Sequence, residues 1–258
     1  MTEVCLVFGS KDPASVKMYE TLTRVLGMTP DDLGGFGASV EVIDRDLLYV
    51  EENDLPASDS YLFFSRHSGK IPCITLHATG NPTNSADMGG QPLTLARADP
   101  NLAGSVLNCL IEAHPTLPVV IEATHHGPTL RRSSVLFVEI GTGEVQWSNA
   151  DILQCVVSAS VKGVSKRHKF NGRAATFYGG PHYAEKFTRH AYSRNLGIGH
   201  VLSKYAAHED NMAVLADAPF SSEPHATLVV VDKKGLPSSY REELVSEVRR
   251  RGCEVTLI

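Results

Sequence analysis

Short apolar runs with strand character alternate with amphipathic helical patterns along the 258-residue chain, and this alternation restricts the fold more than any other feature. Strands are predicted at 3–8, 40–43, 61–65, 73–77, 117–123, 135–140, 174–178, 227–231 and 254–258. Helical periodicity marks 16–26, 102–113, 149–161 and 182–193, and a capping-box pattern at 239–242 predicts one more helix start. The alternation predicts an α/β protein, a three-layer α/β/α arrangement around a mixed, largely parallel sheet.

The chain shows no sign of internal division. It contains neither a repeat of fixed period nor a Pro/Ser-rich linker, and its length is within reach of one large α/β domain. We therefore expect a single domain over residues 1–258, with room for a subdomain near the middle of the chain.

Composition excludes several classes of protein. No apolar run approaches the ~18 residues of a membrane-spanning helix, and the first residues lack the pattern of a signal peptide. The net charge of −5 excludes a surface coated in basic charge for nucleic acid, although it is compatible with a local basic patch. Five cysteines are scattered singly without a CxxC pair, which is typical of reduced, buried thiols. We expect a cytoplasmic protein that does not bind membranes.

Common phosphate-binding and catalytic motifs are missing from the sequence. Ser68-Gly69-Lys70 resembles the end of a P-loop, but Phe64 stands where that motif needs its first glycine. The sequence also lacks GxGxxG, HExxH and GxSxG patterns. The sequence therefore does not support a Rossmann-type dinucleotide site, a zincin metalloprotease or a serine hydrolase with a nucleophile elbow.

Histidines gather at the ends of predicted strands. Of the 11 histidines in the chain, five fall in four segments that end or follow such strands: His67, His77, His125, His126 and His182. Ligands in open α/β sheets bind just beyond the carboxyl ends of strands. One such histidine would more often be an ordinary loop residue, but the set favours one shared site.

The adjacent pair His125-His126 is the most specific of these features. Neighbouring side chains in an extended segment point to opposite sides, so one imidazole can enter the site while the other braces it. Glu122 or Thr124 could orient either ring. Glu122 fits a surface carboxylate equally well.

Glycine turns and a second carboxylate complete the candidate site. Gly179-Gly180 and Gly127 offer backbone N–H groups suited to an anion or an oxyanion, with a plain tight turn as the alternative for the Gly179-Gly180 pair. Glu139 ends a buried strand, where a structural hydrogen-bonding role is the alternative.

These segments together resemble the D-aminoacyl-tRNA deacylases of the archaeal and plant type. The match spans His67 through Tyr205, and Thr79, Thr142 and Pro181 depart from the residues expected of that family. Pro181 matters most, because proline removes one N–H from the glycine turn. The motifs that carry the resemblance are Ala123–Pro128, Val138–Gly141 followed by Trp147, Gly180–Thr188, Gly199-His200 and Lys204-Tyr205.

The resemblance implies hydrolysis of the ester bond of D-aminoacyl-tRNA, dependence on zinc, and a fold akin to peptidyl-tRNA hydrolase and purine nucleoside phosphorylase. We expect His125, His126, Glu122 and Thr124 to be catalytic, with zinc ligands among His77, His125, His126, His182 and His200. Substrate-binding residues are predicted at Arg66, His67, Lys70, Asn81, Gly127, Glu139, Gly179, Gly180, Tyr183 and Lys204. A zinc-bound hydroxide and a metal-free histidine base both stay open as mechanisms.

A basic cluster is the candidate contact for tRNA phosphates. Lys162, Lys166, Arg167 and Lys169 follow one another without an intervening acid, although such a run is also typical of a solvated loop. Two alternatives to the deacylase remain: another hydrolase or phosphorylase acting on nucleosides or peptides, and a non-catalytic RNA-binding module. No protein partner is implied, and we expect a monomer.

Overall fold

A computed structural model describes residues 4–258, without the side chain of Glu209. The strands are β1 (Val4–Gly9), β2 (Ala38–Ile43), β3 (Ser60–His67), β4 (Ile74–His77), β5 (Gly80–Asn81), β6 (Thr94–Leu95), β7 (Val119–Ile121), β8 (Ser134–Gly141), β9 (Ala174–Gly180), β10 (Gly197–Ser203), β11 (Leu228–Val231) and β12 (Glu254–Leu257). The α-helices are α1 (Pro13–Glu20), α2 (Pro30–Gly35), α3 (Pro100–Glu112), α4 (Glu144–Trp147), α5 (Ala150–Lys166), α6 (Glu185–Ser193), α7 (Met212–Asp217) and α8 (Ser238–Arg250).

The first large sheet has six strands in the order β2-β1-β3-β8-β4-β7. β1, β2, β3 and β8 run in parallel, whereas β4 is antiparallel to β8 and parallel to β7. Side chains alternate between the two faces, as the strand period of two requires. Leu62 and Phe64 of β3 pack toward helices α1, α3 and α5, while Phe63 packs on the other face.

That other face is covered by loops and short 3₁₀ turns. Leu47, Val50 and Leu55 close one part of it over Phe63 and Phe137. A face covered by loops leaves room for a pocket beside the strands, and the cluster of histidines lies there.

The second sheet has four parallel strands in the order β10-β9-β11-β12. One of its faces packs against α7 and α8 through Leu215 and Leu244. Its other face shares a core with the six-stranded sheet, because Phe177 and Val230 belong to the same apolar cluster as Leu62. The α/β class and the mixed, largely parallel sheet are confirmed, although the strand pattern does not predict two separate sheets. The shared core supports the single domain, which stays a prediction.

Strand β10 is absent from the sequence-based assignment. Gly197 and Gly199 lower its intrinsic strand propensity, so its pairing with β9 is decided by tertiary context. A Cβ atom on Gly197 would lie only 2.9 Å from the carbonyl oxygen of Pro100. The glycine therefore lets β10 approach the start of α3 closely.

Helix starts follow capping chemistry in some places and not in others. Asp99 caps α3 by accepting the Leu102 N–H at 2.9 Å, and Asn149 caps α5. The capping box predicted at 239–242 is wrong: α8 begins one residue earlier, after Pro237, and no side chain caps it.

Two expectations from composition can be compared with the fold. Cys5, Cys73, Cys109 and Cys253 are buried, as expected of thiols packed as small hydrophobic groups. Over residues 4–258, none of the helices combines the length and the apolar character needed to cross a membrane.

Candidate functional site

The pocket is built around Glu139, which lies near the end of the central strand β8 on the face covered by loops. Strand register places Ser65 of β3 on one side of Glu139 and Thr75 of β4 on the other. The Ser65 hydroxyl donates to Oε1 of Glu139 at 2.6 Å, and the Thr75 hydroxyl lies 3.5 Å from Oε2. Hydrogen bonds from two neighbouring strands thus fix the carboxylate within the sheet.

His67 links two buried carboxylates. Its Nδ1 lies 3.4 Å from Glu139 and 3.5 Å from Glu122, and Glu122 is completely buried. The Tyr183 hydroxyl lies 2.9 Å from Nε2 of His67, and Nε2 of His182 lies 3.1 Å from the same oxygen of Glu122. Residues from β3, β8 and the segments after β7 and β9 therefore meet in one network.

The strand directions differ from the arrangement that the sequence suggests. His67 is indeed at the carboxyl end of β3, but β4 is antiparallel to β8, so His77 lies opposite Phe137 rather than at the same edge. The segment carrying His125 and His126 runs beside Thr79 and Gly80, with the Gly80 N–H donating to the His126 carbonyl at 2.8 Å. The histidines meet across the face of the sheet, and not all at one edge.

Three imidazoles have their orientation set by backbone carbonyls. Nδ1 of His125 lies 2.8 Å from the Ala123 carbonyl, Nδ1 of His126 lies 2.6 Å from that of Gly127, and Nδ1 of His77 lies 3.2 Å from that of Ala78. A carbonyl only accepts hydrogen bonds, so each Nδ1 carries a proton, and Nε2 is the nitrogen that faces the other rings. The ligand atoms of these three histidines lie within 4.8 Å of one another.

The backbone at His126 is strained. Its φ of 42° is in the left-handed region, which an ordinary L-residue adopts at a cost of about 1–3 kcal/mol. Its ring packs edge-on against Phe137 and lies 4.3 Å, centroid to centroid, from the His125 ring. The strain holds the two neighbouring imidazoles close to each other.

Buried carboxylates raise the pKa of two histidines. Burial by itself lowers the pKa of His67, but hydrogen bonding to Cys73 and Glu139 and the charge of Glu122 outweigh burial and raise that pKa to about 11. Burial likewise lowers the pKa of His77, and Glu139 outweighs it and raises that pKa. Burial by itself raises the pKa of Glu139, but the neighbouring His67 and His77 rings outweigh burial and lower that pKa well below its ordinary value.

The pKa values of the adjacent histidines, His125 and His126, are lowered instead of raised. Burial and the charge of His77 lower the pKa of His126 to about 4 and lower the pKa of His125 well below its ordinary value. Both rings are therefore neutral near pH 7, which is the form in which imidazole binds a metal.

The donor set fits a zinc ion. Nε2 of His77 and both carboxylate oxygens of Glu122 are buried, yet they make no hydrogen bond with any of the described residues. Uncompensated buried polar atoms are costly, and a cation would satisfy them. Three imidazoles with nearby carboxylates are the ligand types that Zn²⁺ prefers. Glu122, His125 and His182 form a second close set of donor atoms, and His67, Glu122 and Glu139 a third.

The network opens into a cavity of about 410 Å³. Its inner wall includes His125, His126 and Glu139, and its mouth includes Arg66 and His182. All five of these residues were predicted from the sequence, and the structure brings them together with four other predicted residues: His67, His77, Glu122 and Tyr183.

Thr124 and His200 form a separate contact outside the cavity. The Thr124 hydroxyl accepts the Val201 N–H at 3.1 Å and lies 3.2 Å from Nδ1 of His200, whose Nε2 lies 3.0 Å from the Ala96 carbonyl. Both nitrogens of His200 are thus occupied, and burial lowers its pKa to about 4. The structure does not bring Thr124 and His200 to the cavity, because both side chains join the second sheet to the 123–126 segment. This geometry does not support the catalytic role predicted for Thr124 or the metal-ligand role predicted for His200.

The predicted oxyanion donors also have structural partners. The Gly127 N–H donates to the Met88 carbonyl at 3.0 Å. Gly179 and Gly180 belong to β9 instead of preceding a helix, and a Cβ atom on Gly179 would lie 3.2 Å from the Asp232 carbonyl oxygen. The structure therefore gives these glycines packing roles in place of the predicted oxyanion role: Gly127 and Gly179 lie close to neighbouring backbone, and Gly180 lies against the Phe187 ring.

Besides the three glycines, three more predicted substrate-binding residues lie outside the cavity lining. Asn81 is buried and donates to the carbonyls of Gly89 and Gln91, so it fixes the loop before β6. Lys70 is exposed next to the pocket segment, and the Lys204 ammonium lies over the Tyr205 ring. The direct substrate contact predicted for Asn81 is therefore replaced by a positioning role.

The basic cluster lies at the opposite end of β3. Arg167 donates to Asp99 at 2.5 Å and to the Ser60 hydroxyl at 3.2 Å, and only 13% of its side chain is exposed. Ser60 begins β3 and His67 ends it, so about 20 Å separates the cluster from the pocket at the usual rise per strand residue. Arg167 is a structural residue and not a phosphate contact, whereas Lys162, Lys166 and Lys169 are exposed.

Several pocket residues escaped prediction. Lys11 and Asp12 follow β1 and line the mouth, and Leu48 and Met88 form an apolar wall. Lys11 and Asp12 obey the same strand-end rule that identified His67, because β1 is the parallel neighbour of β3. Leu48 and Met88 come from irregular segments, where sequence periodicity gives no signal.

Comparison with known proteins identifies the family of the chain. A family profile described as D-aminoacyl-tRNA deacylase matches residues 55–256. A D-aminoacyl-tRNA deacylase of Saccharolobus islandicus (strain L.S.2.15 / Lassen #1) is 32% identical over 245 residues, covering 94% of this chain and 99% of that protein. The D-aminoacyl-tRNA deacylase of Metallosphaera sedula is 31% identical over 258 residues, covering 99% of both chains.

A solved structure shares the fold. A conserved protein of unknown function, AF0625, superposes with a TM-score of 0.86 at 24% identity, covering 99% of this chain and 95% of that one. The two large sheets are therefore an arrangement that a crystal structure also contains. The matching profile and the full-length relatives show that this chain belongs to the D-aminoacyl-tRNA deacylase family.

Proposed function

We propose that this protein hydrolyses the ester bond of D-aminoacyl-tRNA and releases the free D-amino acid and tRNA. One observation carries the proposal: ring nitrogens of His77, His125 and His126 lie within 4.8 Å of one another, near the Glu122 carboxylate, which accepts no hydrogen bond from the described residues. Family membership gives the substrate class, because the curated relatives are named for it.

We assign zinc binding to His77, His125 and His126. When bound, Zn²⁺ supplies Lewis-acid polarisation of the ester carbonyl and activation of water near neutral pH. The residues themselves contribute orientation. The Ala78, Ala123 and Gly127 carbonyls hold the Nδ1 protons and so keep each Nε2 aimed inward.

Proton transfer is assigned to Glu122 and His182. Their side chains lie 3.1 Å apart, and His182 is 42% exposed at the mouth while Glu122 is completely buried. Glu122 is placed to accept a proton from the attacking water. His182 is placed to deliver a proton to the departing ribose oxygen, because it bridges the buried carboxylate and the solvent-facing mouth.

His67 and Tyr183 hold Glu122 and Glu139 in place. With its pKa raised to about 11, His67 is a fixed cation between two carboxylates near pH 7. Its charge favours the ionised form of Glu139, and its ring lies 3.5 Å from Glu122, so both carboxylates are held where they can take part in metal binding or proton transfer. Location in the cytoplasm and a monomeric state remain predictions.

The experiment is a deacylation assay with matched D- and L-aminoacyl-tRNA, with and without a chelator. We expect rapid release of the D-amino acid and slow release of the L-amino acid. Exhaustive chelation should abolish the first, and added Zn²⁺ should restore it. Elemental analysis should find zinc in the wild-type protein and less in His77→Ala. His190→Ala is the control, because His190 lies on α6 outside the pocket.

Two outcomes would count against the proposal. Equal rates on the D and L substrates would remove the stereospecific function. Full activity in protein stripped of metal would remove zinc and leave a histidine or glutamate base as the mechanism.

A further inference from the structure

Beside the histidine pocket lies a small exposed apolar surface, the Tyr49–Met88 rim, formed by the side chains of those two residues. Each side chain is 52% exposed. Met88 lines the pocket, and so does Leu48, the neighbour of Tyr49. Single exposed hydrophobic residues are common on proteins, but an aromatic ring and a thioether at the mouth of a polar pocket are a candidate binding surface.

The rim is held rigidly on the catalytic segment. The Met88 carbonyl accepts the Gly127 N–H at 3.0 Å, one residue after His126. The Tyr49 hydroxyl lies 3.3 Å from the Asp87 carbonyl that accepts it. A Cβ atom on Gly89 would lie only 2.1 Å from the Leu48 carbonyl oxygen, so the two loops touch through their backbones. A ligand group bound on the rim would therefore have a fixed position relative to the imidazoles.

Cationic side chains surround the same mouth. Lys11, Arg45 and Arg66 line the pocket and are 49% to 62% exposed. Each has an acidic neighbour, at 3.7 Å, 2.6 Å and 3.8 Å respectively. Only the Lys11–Asp44 pair is exposed on both sides, and such a pair contributes little. All three cations keep about half of the side chain or more exposed, so a phosphate can approach them beside their acidic neighbours.

We infer that the Tyr49–Met88 rim binds the 3′-terminal nucleoside of the substrate, with the base stacked on Tyr49 and the preceding phosphate near the three cations. This inference rests on the proposed function. Unpaired bases at the end of an RNA are recognised by stacking on aromatic side chains. The ester that is cleaved joins the amino acid to the terminal ribose, so the nucleoside must lie at the mouth when the acyl group enters the pocket.

Tyr49→Ala tests the inference with three substrates of decreasing size. They are D-aminoacyl-tRNA, the same D-aminoacyl group on adenosine, and its methyl ester. We expect kcat/KM to fall about 5- to 150-fold on the first two, the usual loss for one base–aromatic stack. The effect should appear mainly in KM, and the preference of the enzyme for the adenosine ester over the methyl ester should fall by the same factor.

Matched variants separate stacking from other effects. Tyr49→Phe keeps the ring and removes the hydroxyl, so it should retain the preference for the adenosine ester. Tyr192→Ala removes an exposed tyrosine of α6 and should behave as wild type. Met88→Ala should weaken the preference less than Tyr49→Ala, and a thermal melt of each variant shows whether it is folded.

The inference and the proposed function fail in different ways. A non-hydrolysable D-aminoacyl-amide of 3′-aminoadenosine measures binding by calorimetry without chemistry. Wild-type binding that Tyr49→Ala weakens supports the rim even if no ester is hydrolysed. If Tyr49→Ala left KM for the adenosine ester unchanged, or lowered kcat/KM on the methyl ester by the same factor, the inference that the rim binds the nucleoside would be wrong.

Discussion

The two ends of strand β3 each bury a carboxylate, Asp99 at the first end and Glu122 at the other, and only the Asp99 carboxylate accepts hydrogen bonds, although Nη1 of its partner Arg167 is buried without a hydrogen bond among the described residues. At the first end, the buried Asp99 carboxylate accepts hydrogen bonds from Ser60, Arg167 and the Leu102 N–H. At the other end, Glu122 is just as buried, and its oxygens have no hydrogen bond within residues 4–258.

This difference separates structural charge from functional charge. A buried ion with all its hydrogen bonds made holds one arrangement of the chain, while one left without them carries an energetic cost that a ligand can remove. Near Asp99 the network fastens α3 and α5 to the start of β3. Near Glu122 the carboxylate oxygens are left available to a cation and to the substrate.

The largest effect on stability is expected at the satisfied end. Arg167→Ala leaves the Asp99 carboxylate buried without its charged partner, and breaking such a pair costs about 3–5 kcal/mol. The free energy of unfolding, measured by urea denaturation, should fall by that amount. The kcat of the protein that remains folded should be unchanged, because about 20 Å separates Arg167 from the pocket.

Lys169→Ala is the control for this variant, since Lys169 is exposed two residues away. It should change stability by less than ~0.5 kcal/mol. Equal stability of Arg167→Ala and Lys169→Ala would contradict the structural role given to Arg167.

The reverse pattern is expected at the unsatisfied end. Glu122→Gln should lower kcat by at least ~10²-fold, the scale for losing acid–base assistance. It keeps the size of the side chain and removes a carboxylate that accepts no hydrogen bond from the described residues, so the metal-free protein should lose much less stability than Arg167→Ala does. Steady-state deacylation and urea denaturation of chelated protein measure the two quantities.

A loss of stability in Glu122→Gln as large as that of Arg167→Ala would erase the contrast between the two ends. His126→Ala is a second variant at this end of β3, and its kcat in the deacylation assay should also fall by at least ~10²-fold.

An intermediate effect is expected for His200, whose buried ring joins the second sheet to the pocket segment. Its pKa, lowered by burial to about 4, is below the ordinary value of 6.5. The unfolded state therefore binds more protons between these pH values, and stability falls as the pH drops through that window. The shift corresponds to about 3 kcal/mol of stability present above pH 6.5 and lost at pH 4.

His200→Gln should flatten this part of the pH–stability curve relative to wild type. The glutamine amide can still donate to the Ala96 carbonyl. Parallel curves for the two proteins, measured by urea denaturation from pH 4 to pH 7, would show that His200 does not titrate in this way.

The sequence identified most of the pocket because strand ends carry the signal. His67, His125, His126, His182 and Glu139 were all predicted, and all of them line the cavity. The antiparallel direction of β4 was not predictable from a short apolar run, since apolar runs do not encode direction. The position of His77 on the sheet face follows from that direction.

The site assignments that the geometry does not support share a physical cause. Thr124, His200, Gly127 and Gly179 have the residue types of a catalytic site, but their polar groups bind backbone atoms or allow close packing. Only the fold decides which way such a side chain points. Likewise, Gly197 and Gly199 hid strand β10, which tertiary pairing forms against its local propensity.

The smallest effect concerns the three exposed lysines near the satisfied end, Lys162, Lys166 and Lys169. Lys166 lies 3.7 Å from Glu112, and such an exposed pair contributes little. These lysines are too far from the pocket to touch the terminal nucleotide, so they can contact only the body of the tRNA.

Each phosphate contact that is lost should reduce the slope of log affinity against log salt by roughly 0.7 to 0.9. Replacing all three with glutamine should therefore reduce the slope by about two units if all of them contact phosphate. The kcat on D-aminoacyl-adenosine should not change, because the chemistry lies at the other end of β3. An unchanged salt slope in a filter-binding titration with deacylated tRNA would assign the lysines to solvent and leave tRNA binding to the mouth of the pocket.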